Sequence, residues 1–145
     1  MNKAAVSAAA GALLYTGGGF LSASSCLRTV PRRPFQPTSS VFPAVWGTLF
    51  LLSGLAAGVA AARRQWVLLG LFVLLFVFEV AWSPVYCSHP DKRWAAWLII
   101  PIIALALGVA VHGDAGGLAK AAGVSTVAWC VFAQQLLTTG PVRIS

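Results

Sequence analysis

The sequence predicts an all-α integral membrane protein, a bundle of five transmembrane helices in a single domain. Three observations carry that reading. The 145 residues are 59% hydrophobic and only 9% charged, with a mean hydropathy of +0.83, less charge than a soluble domain needs for its surface. The apolar residues form long runs rather than amphipathic stripes. The runs are near the length, about 20 residues, that a helix needs to cross a hydrocarbon core of about 30 Å. They fall at about 4–21, 41–62, 65–86, 94–111 and 119–139, and little chain remains for a soluble domain.

The first span, Ala4 to Leu21, is rich in small residues and holds Gly17-Gly18-Gly19-Phe20, which lets a neighbouring helix or ligand approach the backbone closely. Lys3, the apolar run and Ala23-Ser24-Ser25-Cys26 have the outline of a cleavable secretory signal. The run nevertheless reaches the length of a spanning helix, so a retained first helix is expected. Residues 22–40 form the one long connection, stiffened by Pro31, Pro34 and Pro37 and carrying Arg28, Arg32 and Arg33; it suits anchoring to lipid phosphates and capping a cavity in the bundle.

The second span opens on Phe42-Pro43-Ala44-Val45-Trp46. Proline in a first helical turn loses no hydrogen bond and presets φ, so Pro43 starts this helix. Phe42 and Trp46, four residues apart, share a face. Gly54-x-x-x-Gly58 here, and Ala104-x-x-x-Gly108 in the fourth span, are close-packing patterns, serving contacts within one chain or between two. The remaining connections, 63–64, 87–93 and 112–118, are short, which implies antiparallel neighbours. No internal repeat is present, which argues against an inverted-repeat transporter.

The third span holds the one acidic residue at membrane depth, Glu79, and Phe72, Phe76, Trp82 and Tyr86 share its face by helical spacing. A carboxylate in hydrocarbon costs several kcal/mol, so such a residue is a functional candidate, with a glutamate that merely bonds a neighbouring helix as the plainer alternative. Pro84 is expected to bend the helix near its end. In the last span Ser125, Trp129 and Phe132 lie on much the same face. Trp66, Trp94 and Trp97 begin spans, where interfacial anchors sit, whereas Trp46 and Trp129 lie inside theirs.

The formal charge of +7 would point to nucleic acid in a soluble protein, but a membrane bundle offers no extended basic groove. The basic residues orient the chain instead. Arg28, Arg32, Arg33, Lys92, Arg93 and Arg143 fall on one side, and Lys3, Arg63, Arg64 and Lys120 on the other. The bias of six to four places the first loop and C-terminus in the cytoplasm. Cys26, Cys87 and Cys130 are widely spaced without a CxxC and read as small apolar fillers. His89 and His112 read as loop histidines without ligand spacing. No metal site, nucleophile–base pair or phosphate loop is visible.

Two blocks carry a family resemblance. Pro34-Phe35-Gln36-Pro37 through Val41-Phe42-Pro43-Ala44-Val45-Trp46, followed by Thr48-Leu49-Phe50, resembles the loop and helix entry of the translocator protein family, also called the tryptophan-rich sensory proteins (TspO). Trp82-Ser83-Pro84-Val85-Tyr86 resembles that family's third-helix motif, and Trp129 stands where its last helix carries a tryptophan. The chain departs from the pattern at Glu79, where the family has asparagine, at Phe35 and Ser39 in the loop, and at Ser125-Thr126 and Leu137 on the last helix.

The resemblance implies a five-helix bundle around a ligand cavity capped by the first loop, commonly a homodimer, binding porphyrin or haem with no obligatory cofactor. Sterol ranks below tetrapyrrole, because no tyrosine follows Trp129. The expected ligand-binding residues are Phe35, Phe42, Trp46, Glu79, Trp82, Tyr86 and Trp129. No catalytic set is expected; in some members the counterparts of Trp46 and Trp129 are associated with porphyrin degradation. A eukaryotic member would sit in the mitochondrial outer membrane. The expected role is binding of tetrapyrroles or similar flat apolar ligands for sensing, sequestration or transport. The rival is a proton-coupled exporter of hydrophobic cations that uses Glu79.

Overall fold

The computed structural model describes residues 2–23, 41–88 and 93–138, with side chains excepted at 19–23, 41–43, 83, 86–88 and 136–138. Five helices make up these residues: α1 Lys3–Ala23, α2 Val41–Ala62, α3 Trp66–Ser88, α4 Arg93–Val111 and α5 Gly117–Thr138. The five-helix membrane bundle expected from the sequence is the architecture observed. Segments Ala44–Ala62 and Arg93–Val111 are each long and apolar enough to cross a membrane, at mean hydropathies of 1.8 and 2.4.

Local chemistry sets the helix ends. The Asn2 side chain accepts the Ala4 N–H at 2.8 Å, capping α1. α2 closes by a Schellman arrangement, in which the Gln65 N–H reaches the Ala60 carbonyl at 2.9 Å and the Arg64 N–H reaches Ala61 at 3.2 Å. That geometry puts Arg64 at φ 56°, a left-handed position filled here by arginine rather than glycine. The turn between α4 and α5 is tied to the one between α2 and α3, since the Gln65 amide donates to the Asp114 carbonyl. His112 is more engaged than a free loop histidine: its Nδ1 accepts the Asp114 N–H at 3.1 Å.

The helices close a ring in the order α1, α2, α5, α4, α3, and α2 and α3 also touch each other. Among the described residues, α1 contacts only α2 and α3. Small residues make the α1–α2 seam. A Cβ at Gly11, Gly54 or Gly58 would collide with backbone of the opposite helix, and the Ser7 hydroxyl donates to the Gly58 carbonyl across it. The Gly54/Gly58 pattern is thereby used inside the chain. Ala104-x-x-x-Gly108 makes no comparable seam: Ala104 is exposed and Gly108 has ordinary contact distance to Leu71. The close approach of α4 and α5 uses Gly123 against Ala106 and Ala110 instead.

Outward-facing side chains are mostly apolar, among them Leu13, Leu14, Val67, Val77, Val111 and Val124, as lipid contact requires. Trp66, Trp94 and Trp97 are more than half exposed at helix beginnings, the position of interfacial anchors. Lys3, Arg63, Arg64 and Lys120 are exposed at one end of the bundle, and Arg93 at the other.

Candidate functional site

The face of α3 that carries Phe72, Phe76, Glu79 and Trp82 turns inward as its spacing predicts: Phe72, Glu79 and Trp82 are buried and Phe76 is half-buried. α2 presents Trp46 and Phe50, one turn apart and both buried, toward it. From α5, Trp129 closes the third side. The three tryptophans, far apart in sequence, meet because α2 touches both α3 and α5.

Trp46 is the hub. Its ring lies 6.1 Å from Trp82, tilted by 33°, and 6.4 Å from Trp129, edge-to-face at 90°. Phe50 sits 5.9 Å from Trp46 and 5.8 Å from Phe76. Phe76 stacks on Tyr15 of α1 at 4.3 Å, and Trp129 contacts Phe132 at 5.4 Å. These are favourable ring-pair distances, and they link four helices in one aromatic cluster. Trp46 lies early in α2 and Trp82 late in α3, so the tryptophan end of the cluster lies at the end of the bundle where residues 24–40 join α1 to α2.

Backbone geometry supports the stack. A Cβ on Gly18 would stand 2.6 Å from the Phe76 ring, so glycine there makes room for that ring against Tyr15. The Trp82 indole N–H donates to the Ala95 carbonyl of α4 at 3.2 Å, fixing its ring orientation and directing its polar end away from the cluster. Trp82 therefore offers a ring face. Trp46 and Trp129 touch each other, so a planar ligand clamped between them requires these rings to part.

Around the aromatic cluster lies a polar lining of which the sequence reading singled out Glu79 alone as a site residue. Glu79 is 4% exposed, Ser53 1% and Thr126 0%, and Tyr15 is also buried. The Tyr15 hydroxyl, Ser53 Oγ, Thr126 Oγ1 and Glu79 Oε2 are all buried and have no hydrogen-bond partner among the described residues. Glu79 lies within electrostatic reach of Tyr15 and of Cys130, a buried free thiol. The four oxygens come from four helices, and buried polar atoms of this kind call for a hydrogen-bond partner.

Of the expected site residues, Trp46, Glu79, Trp82 and Trp129 are brought to this region. Phe35 lies outside the described residues; Phe42 and Tyr86 belong to α2 and α3, with side chains outside the description. Tyr15, Phe50, Ser53 and Thr126 were missed as site residues. Phe50 had a signal, its spacing of four from Trp46. Tyr15, one of two aromatics in α1 with Phe20, offered a weaker one. Thr126 was marked only by the departure from the family pattern at Ser125-Thr126, and Ser53 had no signal, since a single hydroxyl in a span reads as an ordinary helix-packing residue.

No group of three or more histidine, cysteine, aspartate or glutamate side chains able to hold a metal occurs among the described residues. Residues 4–140 match the family model described as the TspO/MBR family. No curated protein and no solved structure matches the chain.

Proposed function

Because this chain belongs to the TspO/MBR family, we propose that it binds porphyrin or a similarly flat, apolar ligand against the Trp46–Trp82–Trp129 cluster, as a membrane receptor that senses, sequesters or moves that ligand. The observation that carries the reading is the convergence of three tryptophans from α2, α3 and α5 at the end of the bundle reached by the 24–40 connection. Ring faces supply stacking and apolar burial, the main sources of affinity for a macrocycle. Arg28, Arg32 and Arg33 in that connection supply charge-assisted partners for porphyrin carboxylates. Sterol remains second to tetrapyrrole.

In this reading the first loop and the C-terminus face the cytoplasm, and the protein works as a homodimer. Binding needs no resident cofactor. Porphyrin breakdown is a secondary activity, with Trp46 and Trp129 as the reacting side chains if it occurs. The test is a titration of the protein in nanodiscs with protoporphyrin, following tryptophan fluorescence. Saturable quenching that weakens on substitution of Trp46 supports the proposal; quenching that rises linearly with ligand, as with empty nanodiscs plus free tryptophan, overturns it.

A further inference from the structure

We propose that the orphaned oxygens beside the aromatic cluster form a subsite for a hydrogen-bond-donating cation, so that the cluster accepts amphiphiles with an aromatic body and a primary or secondary ammonium head. The proposal rests on the cluster being a ligand cavity and names a further ligand class for it.

Each polar group is one helical turn from a ring of the cluster or belongs to one. Glu79 lies between Phe76 and Trp82, Ser53 follows Phe50 by three residues, Thr126 precedes Trp129 by three, and Tyr15 stacks on Phe76. The spacing of three puts each beside its ring on the same helix face. The set is one carboxyl and three hydroxyls, and its described surroundings contain no basic partner: Lys3, Arg63, Arg64 and Lys120 are exposed at the far end of the bundle and Arg93 at the other.

That chemistry selects the guest. An uncompensated carboxylate is strongly disfavoured at this depth, and an ammonium beside it makes the buried pair neutral. The hydroxyl oxygens accept the remaining N–H groups, which removes the orphaned acceptors. The faces of Phe76, Tyr15 and Phe50 favour a cation beside them. A quaternary ammonium satisfies the charge but donates no hydrogen bond, and an anionic head forms no ion pair with Glu79.

The experiment uses four pyrene probes with one aromatic body: 1-pyrenemethylamine, its N,N,N-trimethyl derivative, 1-pyrenemethanol and 1-pyreneacetate. Each is titrated into the full chain in phosphatidylcholine nanodiscs at pH 7, reading energy transfer from tryptophan to pyrene, with protein-free nanodiscs as the blank. The expected result is at least tenfold tighter binding of the amine than of the alcohol, with the trimethyl probe between them and the acetate weakest. Glu79→Gln is expected to bring the amine-to-alcohol ratio near one. Tyr15→Phe, which keeps the stack on Phe76, is expected to lower it about threefold, and it carries the test if Glu79→Gln fails to fold. A wild-type ratio near one, or a ratio unchanged in a folded variant of either residue, overturns the proposal. A parallel protoporphyrin titration separates the two readings. Porphyrin binding without amine preference defeats only the subsite, whereas loss of saturable binding for porphyrin and all four pyrenes defeats the cavity itself.

Discussion

Replacing Trp46 with phenylalanine tests the site at its hub. The indole contacts Phe50, Trp82 and Trp129 at centroid distances of 5.9, 6.1 and 6.4 Å. At about 0.5–1.5 kcal/mol per ring pair, the three contacts hold roughly 1.5–4.5 kcal/mol beyond simple burial. Phenylalanine keeps a ring on the same Cβ but loses the outer half of the indole, so about 1–2 kcal/mol of that share is expected to go. If the same ring face carries porphyrin, affinity falls about tenfold, the equivalent of about 1.4 kcal/mol. The assay is a protoporphyrin titration in nanodiscs of wild type, Trp46→Phe, Trp129→Phe and Trp97→Phe, with circular dichroism to establish that each is folded. Trp97 is 67% exposed at the start of α4 and serves as the control. Two results would refute the reasoning: equal losses at Trp97 and Trp46, or unchanged affinity in folded Trp46→Phe and Trp129→Phe.

Other expectations follow from the packing. Gly58→Val places a branched side chain against the Ser7 and Ala8 backbone of α1; a loss of about 1–3 kcal/mol or more is expected, read as a lower thermal midpoint in detergent, because backbone cannot move aside as a side chain can. Trp82→Phe removes the bond to the Ala95 carbonyl, worth about 0.5–1.5 kcal/mol, and is expected to loosen α3 against α4 in amide hydrogen exchange. Arg64→Gly relieves a left-handed residue at the end of α2 and should leave stability unchanged or raise it by up to about 1 kcal/mol, since glycine is the usual occupant of that position. Single cysteines at 63 and 120 should be labelled from one face of the membrane and one at 93 from the other; labelling of 63 and 93 from the same face contradicts the bundle.

The sequence by itself determined the five-helix membrane architecture, because a long uncharged apolar run has one low-energy form in hydrocarbon, a helix that satisfies its own backbone. Periodicity also determined the inward face of α3, since Phe72, Glu79 and Trp82 keep their register whatever the helix packs against. The family blocks around Trp46 and Trp82 were legible for the same reason: each is a short run within one turn or two of helix. What the runs do not contain is the order of the helices around the ring. That order depends on which seams close most tightly, and Gly11 against Gly54, Ser7 against Gly58 and Gly123 against Ala106 lie scores of residues apart or in separate spans. Only the tertiary structure therefore decided that Gly54-x-x-x-Gly58 serves α1 rather than a second chain, and that Tyr15 joins the aromatic cluster through Phe76. It also decided that Ser53 and Thr126 are buried with no partner among the described residues, because a hydroxyl's burial is fixed by the neighbouring helix and not by its own.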